Sequence, residues 1–522
     1  MKKILLLFTF GSISLSLFAQ EITFSEHIAP IIYNNCTSCH RSGEIAPMSL
    51  ASYEEVKPWA AMIQYVTGIK YMPPWTPDRS YSTFVGEKGL SDEEIALIRR
   101  WAEAGAPQGN PALEPSLPNF PDGSQLGTPD LVLKMEEPYT ISGDNKDDYR
   151  VFVLPTGLTE EKEIAAIEFR PGNRRAVHHV LLASDTRGAG RAKDAEDPEY
   201  GFESFGGFGI PVDDRFTSYT PGIQTIPYPE GIGKVLPAGA DMIIQVHYAP
   251  LPTDEVDQSS VNIFFKKPDD PISRTVRGNW SISPLNLEGG WNTFRIQPGQ
   301  VQTFHATQNV PTGISLLNVY PHCHLLGESW EIFAVTREND TIPIIKIDDW
   351  DFNWQGAYTF EKMKKIPAGS TIHCYATYDN TENNPFNPSF PPKLVTWGEQ
   401  TTDEMLLVGM QYVPYQPGDE DKLVTDVDDP TENQAENRLY AVFPNPADTQ
   451  VTLDFYLKKS DRASIQLFDL NGRLVSTFAD EENLSSGRQQ RNLSVKGLAS
   501  GVYVLQIKGL DFQITEKLII SK

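Results

Sequence analysis

Basic residues, cysteine and histidine are all scarce in this chain of 522 residues. Its 44 Lys and Arg residues are outnumbered by 69 Asp and Glu residues, which gives a net charge of -25 at pH 7. Nucleic acid is therefore excluded as a partner, because its phosphates need a basic surface. Long apolar runs are also lacking, and no stretch beyond the first twenty residues is apolar enough to cross a membrane.

The length and the turn-forming residues predict several β-rich domains. A chain this long exceeds one ordinary hydrophobic core, so we expect three or four domains. Forty prolines and 38 glycines, with 11% aromatic residues, favour β domains joined by many turns. Residues 1–20 begin with Met1 and two lysines and continue into an apolar run at Ile4–Phe10. A mildly polar stretch then leads to the expected cleavage position near Ala19 or Gln20. This layout predicts a signal peptide that is cleaved on export.

Two of the four cysteines lie in the pentapeptide Cys36-Thr37-Ser38-Cys39-His40. In such a motif the two thiols form thioethers with a haem and the adjacent imidazole ligates its iron. A zinc site or a redox cysteine pair is the alternative, but neither explains the adjacent histidine. Apolar residues before the motif and a capping box at Ser91–Glu94 predict flanking helices. Residues 21–112 thus resemble a small all-α cytochrome c domain carrying one covalent haem c.

Three methionines are candidates for the sixth iron ligand. Cytochromes c commonly place this methionine on a loop just before a proline, and Tyr71-Met72-Pro73 fits that pattern. Met72 is therefore the preferred ligand over Met48 and Met62. A thioether at this position raises the haem potential, which suits an electron carrier.

Five of the nine histidines occur in three short apolar segments. These are the adjacent pair His178 and His179, the single His247, and the His-x-His of His322 and His324. Side chains alternate along a strand, so the His-x-His pair points to one side, whereas the adjacent pair needs a bend or bulge to converge. Imidazole ligands suit copper, zinc and iron, and an added thioether favours copper. Satisfied core or surface histidines are the alternative.

Residues 128–415 resemble the copper type II, ascorbate-dependent monooxygenases, the group of peptidylglycine hydroxylase and dopamine β-hydroxylase. The motifs that carry the resemblance are His178-His179-Val180-Leu181-Leu182, Gln245-Val246-His247-Tyr248, His322-Cys323-His324 and Thr402-Asp403-Glu404-Met405. The resemblance implies two copper ions. One is held by His178, His179 and His247, and the other by His322, His324 and Met405, which is a better candidate than Met410. It also implies two all-β jelly-roll sandwich domains, 113–270 and 271–415.

The sequence departs from that family where peptidylglycine hydroxylase anchors its peptide. Tyr320, Leu407 and Gly409 occupy the positions of the family's polar anchors, so a peptide substrate is not expected to carry over. Leu406 stands where the family has a disulfide cysteine. Cys323 and Cys374 are instead expected to pair, with free buried thiols, or Cys323 as a copper ligand, as the alternatives.

The end of the chain resembles a secretion signal of a different kind. Residues 416–438 are acidic and poor in large apolar residues, which predicts a linker. Residues 439–522 resemble the all-β sorting domain of type IX secretion, and Asn471-Gly472 predicts a hairpin within it. The resemblance implies a type IX secretion machinery as partner and a secreted or surface location. A carbohydrate-binding or adhesive sandwich is the alternative.

Together these features predict a copper-dependent monooxygenase that hydroxylates a C–H bond of a small-molecule or peptide substrate with dioxygen. The copper at His322, His324 and Met405 is expected to act on dioxygen, and the copper at the three-histidine site to deliver the second electron. The fused haem is expected to supply electrons from an external donor. Two alternatives stay open: a surface haem and copper electron-transfer or copper-binding protein, and a sensor or adhesin with a haem head.

Overall fold

The computed structural model divides the chain into two compact units, Met1–Val427 and Asp428–Lys522. The described residues are 21–42, 44–118, 124–222, 224–424, 437–443, 445, 447–457, 461–469, 472–484, 487–510 and 512–521. The predicted signal peptide and most of the predicted linker lie outside them. In the part of the chain that is described, no helix combines the length and the apolar character needed to span a bilayer.

The first unit begins with a small helical region. A π-helical turn at Phe24–Ile28 runs into α1, and three further helices follow. The helices are α1, Ala29–Asn35; α2, Tyr53–Val56; α3, Ala60–Gly68; and α4, Asp92–Glu103. The predicted capping box of Ser91 and Glu94 is present at the start of α4. Phe24, Ile28 and Trp101 are fully buried in the core that these helices share.

A first β-sandwich follows the helical region. Its strands are β1, Leu131–Lys134; β2, Tyr139–Ile141; β3, Asp148–Pro155; β4, Lys162–Arg170; β5, Val177–Asp185; β6, Phe202–Glu203; β7, Asp214–Tyr219; β8, Ile232–Leu236; β9, Asp241–Tyr248; β10, Glu255–Asp257; β11, Ser260–Phe265; and β12, Arg274–Thr275. A short helix, α5, spans Ala189–Asp194. The two main sheets have the orders β1-β11-β4-β8-β12 and β6-β3-β9-β5-β7.

Burial follows from the apolar composition of the central strands. Every residue of β9 is buried, because this strand lies between β3 and β5 and faces the core. Ile164 and Val261 from one sheet and Val180 and Ile244 from the other meet in one apolar cluster. The two sheets are therefore the faces of one sandwich.

A second sandwich has the same layered design. Its strands are β13, Arg277–Ile282; β14, Arg295–Ile296; β15, Gln300–Asn309; β16, Ile314–His322; β17, Gly327–Val335; β18, Thr341–Ile347; β19, Tyr358–Ile366; β20, Thr371–Asn380; β21, Val395–Thr396; and β22, Leu407–Pro414. Its main sheets have the orders β13-β22-β16-β19 and β15-β20-β17-β18. Leu316 and Val408 of the first sheet share a core with Ile332 and Ala376 of the second.

The two sandwiches are packed on each other. Ile232 and Val276 of the first lie in one buried cluster with Leu317, Met363 and Val413 of the second. Because these apolar side chains exclude water from both domains at once, the sandwiches form a continuous body.

The helical region is also packed on the second sandwich. Its Asp78 N donates to Lys346 O at 2.8 Å, and its Val85 N donates to Thr359 O at 2.8 Å. The ring of Phe84 stacks on that of Phe360 with centroids 5.1 Å apart. Segment 75–87 is thus paired along the second sandwich rather than free in solution.

Residues 416–424, the described first part of the acidic stretch that we expected to be a linker, pack against the two sandwiches. Asp419 is buried, and its carboxylate accepts from both Arg274 Nη1 at 2.6 Å and Arg274 Nη2 at 2.8 Å. Val424 is buried in the cluster shared by the two sandwiches. Composition alone does not predict this packing, because the charge of Asp419 is compensated by Arg274, which is far away in the sequence.

The second unit is a β-sandwich with its own core. Its strands are β23, Arg438–Phe443; β24, Gln450–Leu457; β25, Asp461–Asp469; β26, Leu474–Leu484; β27, Gly487–Ser494; β28, Gly501–Lys508; and β29, Gln513–Ile520. The sheets have the orders β23-β24-β27 and β26-β25-β28-β29. Leu453 and Phe455 pack with Ile465, Leu505 and Ile507 from the other sheet. β25 and β26 pair antiparallel, and Asn471 of the predicted hairpin turn lies outside the described residues.

Candidate metal centres and the adjoining cavity

The rings of three histidines of the first sandwich come together where β5 begins and β9 ends. His179 of β5 lies opposite His247 of β9 in the antiparallel register. The register shifts between Val177 and His179, so the irregularity that the adjacent pair requires is present. This bulge lets His178 turn toward the same point as His179.

The distances among these rings suit a single metal ion. His179 Nδ1 lies 3.2 Å from His178 Nδ1 and 3.2 Å from His247 Nδ1. The ligand atoms of the three residues all lie within 4.8 Å of one another. Two nitrogens at metal-bond length from one ion, at a tetrahedral angle, are about 3.3 Å apart. The three Nδ1 atoms therefore outline a metal-binding position.

Burial keeps the three rings neutral, and one carboxylate sets the position of the proton on His247. Burial lowers the pKa values of His178, His179 and His247, so each ring is neutral and keeps a lone pair for a metal. His247 Nε2 lies 2.7 Å from Asp147 Oδ1. The carboxylate holds the proton on Nε2, which leaves Nδ1 free to ligate.

His322 and His324 lie at the end of β16 with their ring centroids 5.2 Å apart. His322 Nδ1 is hydrogen bonded to Gln355 Oε1, and Gln355 Nε2 donates to Phe352 O at 2.8 Å, which fixes the orientation of the amide. His324 Nδ1 lies 3.1 Å from Asp403 O. Both rings therefore carry their proton on Nδ1 and leave Nε2 for a ligand. Burial lowers the pKa of His322 to about 3.

A buried carboxylate ties Met405 to this pair. Glu404 Oε2 accepts from His324 N at 2.8 Å and from Met405 N at 3.0 Å, while Oε1 accepts from Leu326 N at 2.7 Å. Burial raises the pKa of Glu404 to about 8. One side chain thus fixes the backbone on which both His324 and Met405 stand.

A single aromatic ring lies between the two histidine groups. The Phe352 ring is stacked on His178 with centroids 5.7 Å apart. The same ring also packs edge-on against the ring of His324, with centroids 5.8 Å apart. The three-histidine cluster and the His-x-His pair therefore face each other across the boundary of the two sandwiches.

The predicted haem-binding residues line one apolar cavity of about 270 Å³ in the helical region. Cys36, Cys39 and His40 form part of its wall, and burial lowers the pKa of His40, which keeps the imidazole neutral. The three candidate methionines, Met48, Met62 and Met72, also line the cavity. The lining therefore contains the cysteines, the histidine and the methionines that the prediction requires, without selecting among the methionines.

The predicted disulfide between Cys323 and Cys374 is wrong. Both residues are free thiols and both are buried. Cys374 points into the core of the second sandwich, which Cys323 also lines. The two residues pack there as small apolar side chains.

Four residues of these sites were not predicted as functional from the sequence. Asp147, Phe352 and Gln355 lie on loops outside every motif, and no local pattern marks them. Glu404 had a signal, because it directly precedes Met405 within a recognised motif. Its acidic side chain in an otherwise apolar segment indicates a buried partner.

One known protein family matches most of the second sandwich. Residues 301–432 match the copper type II ascorbate-dependent monooxygenase, C-terminal domain. This range contains His322, His324 and Met405. The match indicates an oxidoreductase of the copper monooxygenase type, and the family implies copper.

The second unit matches a family as well. Residues 441–521 match the secretion system C-terminal sorting domain. This sorting domain directs the protein through type IX secretion to the cell surface or the exterior, so the predicted location is confirmed.

Other comparisons add little. No curated protein matches the chain. A β-glucuronidase of Faecalibacterium prausnitzii is 9% identical over 43% of this chain and 38% of its own, with a TM-score of 0.13. A β-D-glucuronidase of Dictyoglomus thermophilum is 10% identical over 50% and 41%, with a TM-score of 0.12. A protein described as PNGF-II is 8% identical over 55% and 65%, with a TM-score of 0.24. This chain thus spans less than half the length of the two glucuronidases.

Proposed function

We propose that this secreted protein is a copper-dependent monooxygenase that hydroxylates a C–H bond of an organic substrate, with electrons supplied through a covalent c-type haem. The observation that carries the proposal is the position of the two histidine groups on either side of Phe352. One of them lies in the sandwich that matches the copper monooxygenases. The reaction consumes substrate, dioxygen, two electrons and two protons, and yields the alcohol and water.

His322, His324 and Met405 would hold the copper that supplies dioxygen activation. A thioether beside two imidazoles favours the cuprous state. Gln355 and Asp403 orient the two rings through their Nδ1 protons, and Glu404 fixes the backbone that carries the thioether. These contacts hold the two imidazole rings and the backbone of Met405 in place without the metal, which favours a preformed site.

His178, His179 and His247 would hold the second copper, which supplies one-electron storage. Three neutral imidazoles suit copper in both oxidation states. Asp147 keeps the Nε2 proton of His247 in place, and Phe352 covers His178 on the side facing the other site.

The cavity at Cys36, Cys39 and His40 would hold the haem, which supplies electrons one at a time. Its apolar lining suits a macrocycle, and the two cysteines are unpaired, as thioether attachment needs. Met72 is our preferred sixth ligand. An external one-electron donor, such as a quinol or another cytochrome, would re-reduce the haem, because an exported enzyme has no assured supply of ascorbate.

A cleft between the sandwiches would receive the substrate. It has a volume of about 380 Å³ and is lined mainly by apolar side chains. Tyr320 forms part of its wall and stacks near His322, with ring centroids 6.0 Å apart. Arg215 is the only charged side chain among the described residues that line it. We therefore propose a small, largely apolar substrate rather than a peptide.

Replacing Met405 tests the dioxygen site. Met405→Leu keeps the volume of the side chain but removes the sulfur. We expect it to lower substrate-dependent oxygen uptake by about 100-fold, while the haem absorption spectrum stays unchanged. Met363→Leu is the matched control, because Met363 is buried in the cluster between the sandwiches. Full oxygen uptake in Met405→Leu would refute the assignment.

A second function is favoured by the loss of polar anchors at Tyr320, Leu407 and Gly409. Without a substrate anchor the chain would act as a haem and copper electron-transfer or copper-binding protein on the cell surface. Oxygen uptake by the fully loaded protein across a panel of small organic compounds separates the two. Copper and haem binding with no substrate-dependent uptake would favour this second function.

A further inference from the structure

One loop touches all three of the sites described above. Residues 351–356 connect β18 to β19 in the second sandwich. Phe352 contacts His178 and His324, and Gln355 is hydrogen bonded to His322. Trp354 lines the cavity that Cys36, Cys39 and His40 also line. No motif in the sequence marks this loop, and the proposed function gives it a role only in orienting and covering the histidines, not in electron transfer.

The loop is held rigidly at both ends of its turn. Asp351 Oδ1 accepts from Asn353 N at 2.9 Å, and Asp351 O accepts from Trp354 N at 2.9 Å. Thr220 Oγ1 of the first sandwich donates to Gln355 O at 2.8 Å. The loop is therefore hydrogen bonded within its own turn and to the first sandwich, which holds it against both histidine groups.

Trp354 makes the contact with the cavity. Its indole Nε1 is buried and has no hydrogen-bond partner among the described residues. A buried N–H of this kind is usually satisfied, and the indole of Trp354 is therefore able to donate to a group held in the cavity that it lines. Phe352 lies only two residues earlier in the chain, which limits the separation of their Cα atoms to about 7 Å.

We propose that segment 351–356 is the electron-transfer bridge between the haem cavity and the copper ligands, with Trp354 at its haem end and Phe352 at its copper end. This inference rests on the proposed function. In each passage one electron leaves ferrous haem, which becomes ferric, and reduces one cupric ion to cuprous. No bond is made or broken and no proton moves. The external one-electron donor then restores the ferrous haem.

The geometry explains why this short loop would serve better than the surrounding protein. Electron tunnelling weakens steeply with distance and is favoured by covalent paths. The loop joins two aromatic rings through a short stretch of backbone, whereas the ion pair of Glu44 with Arg174 and the stacking of Phe84 on Phe360 are non-covalent contacts. Gly222 of the first sandwich also lies beside Cys39 and offers the competing route.

Flash reduction of the haem in the full-length, copper(II)-loaded protein tests the bridge. The loss of ferrous haem absorbance and the loss of the cupric electron paramagnetic resonance signal are followed together, without substrate. We expect Trp354→Leu and Phe352→Leu each to slow both signals at least tenfold. Trp354→Phe retains an aromatic ring and should stay within threefold of the wild-type rate.

Two control variants distinguish a loss of electron transfer through segment 351–356 from a general loss of structure. Asn353→Ala alters an exposed side chain of the same loop, and Trp291→Leu removes a tryptophan that packs against Trp397 in another loop. Both should keep the wild-type rate. The haem reduction potential and the cupric spectrum are measured for every variant, so that a slower rate is assigned to coupling only when both are unchanged.

The outcomes distinguish this inference from the proposed function. Fast transfer in the wild type with the same rate in Trp354→Leu and Phe352→Leu would overturn the bridge and favour the route at Gly222, leaving the monooxygenase proposal intact. If wild-type haem does not reduce copper at all, both the bridge and the haem supply of electrons fail. Slowing in both leucine variants with normal spectra supports the bridge.

Discussion

Asp147 decides which nitrogen of His247 is free. A carboxylate 2.7 Å from Nε2 retains the proton there and turns Nδ1 toward His179. Such outer partners orient a metal ligand and raise its basicity. The chemistry of the three-histidine cluster thus depends on a residue that binds no metal itself.

Replacement of Asp147 should weaken this cluster selectively. We expect Asp147→Ala to lower the copper affinity of the three-histidine site by about 10–100-fold, since the ring of His247 loses its fixed orientation. Competition with a chromophoric copper chelator measures the affinity. Asp144→Ala is the control, because Asp144 is on the same loop and pairs only with the exposed Lys146. Equal affinities in the two variants would contradict the role of Asp147.

The sequence predicted the histidines better than their surroundings. Strand alternation and spacing were enough to expect His322 with His324, and to expect a bulge at His178 and His179. Asp147 and Phe352 were beyond prediction, because Asp147 reaches His247 only through the pairing of β3 with β9, 100 positions apart, and Phe352 reaches His178 only across the boundary of the two sandwiches. Contacts between distant loops leave no periodic pattern in the sequence.

Segment 415–424 illustrates the same limit at the scale of an element. Its acidic composition is typical of a linker, but Asp419 is buried against Arg274, which lies 145 positions earlier. Ser315 Oγ donates to the same carboxylate at 2.7 Å. The element is ordered by these distant partners, whereas the capping box of α4 was predictable because its two residues are neighbours.

Removal of the Asp419 carboxylate should destabilise the first unit. Asp419→Ala leaves the guanidinium of Arg274 buried without its partner, and we expect it to lower the free energy of unfolding by about 3 kcal/mol. Urea unfolding followed by tryptophan fluorescence measures the change. Glu420→Ala removes a solvent-screened partner of Lys365 and should lower the free energy of unfolding far less than Asp419→Ala. Equal losses of unfolding free energy in the two variants would show that the buried pair of Asp419 and Arg274 contributes no more than the exposed pair of Glu420 and Lys365.

For the whole molecule, the helical region acts as a docked part of the first unit. An ion pair joins Glu44, just after the Cys36–His40 motif, to Arg174, just before the His178–His179 pair. Segment 75–87 pairs with the second sandwich. The cavity at Cys36, Cys39 and His40 is therefore held at a fixed place relative to both histidine groups, which a flexible tether would not achieve.

The second unit, by contrast, has an independent core and a separate task. Its buried residues form a cluster that includes none of the residues of the first unit. We therefore expect a chain truncated after Val427 to keep its copper content and its urea unfolding midpoint. In a bacterium with type IX secretion, it should remain in the periplasm, because the sorting domain at 441–521 is missing.

Cell fractionation and surface labelling of the two chains check this prediction. Copper content, measured on purified full-length and truncated protein, shows whether the first unit folds without the second. Fusion of residues 428–522 to an unrelated exported protein is the complementary control, and it should bring that protein to the surface. A truncated chain that still reaches the surface would mean that the first unit carries its own sorting signal. Loss of copper on truncation would instead mean that the two units depend on each other for folding.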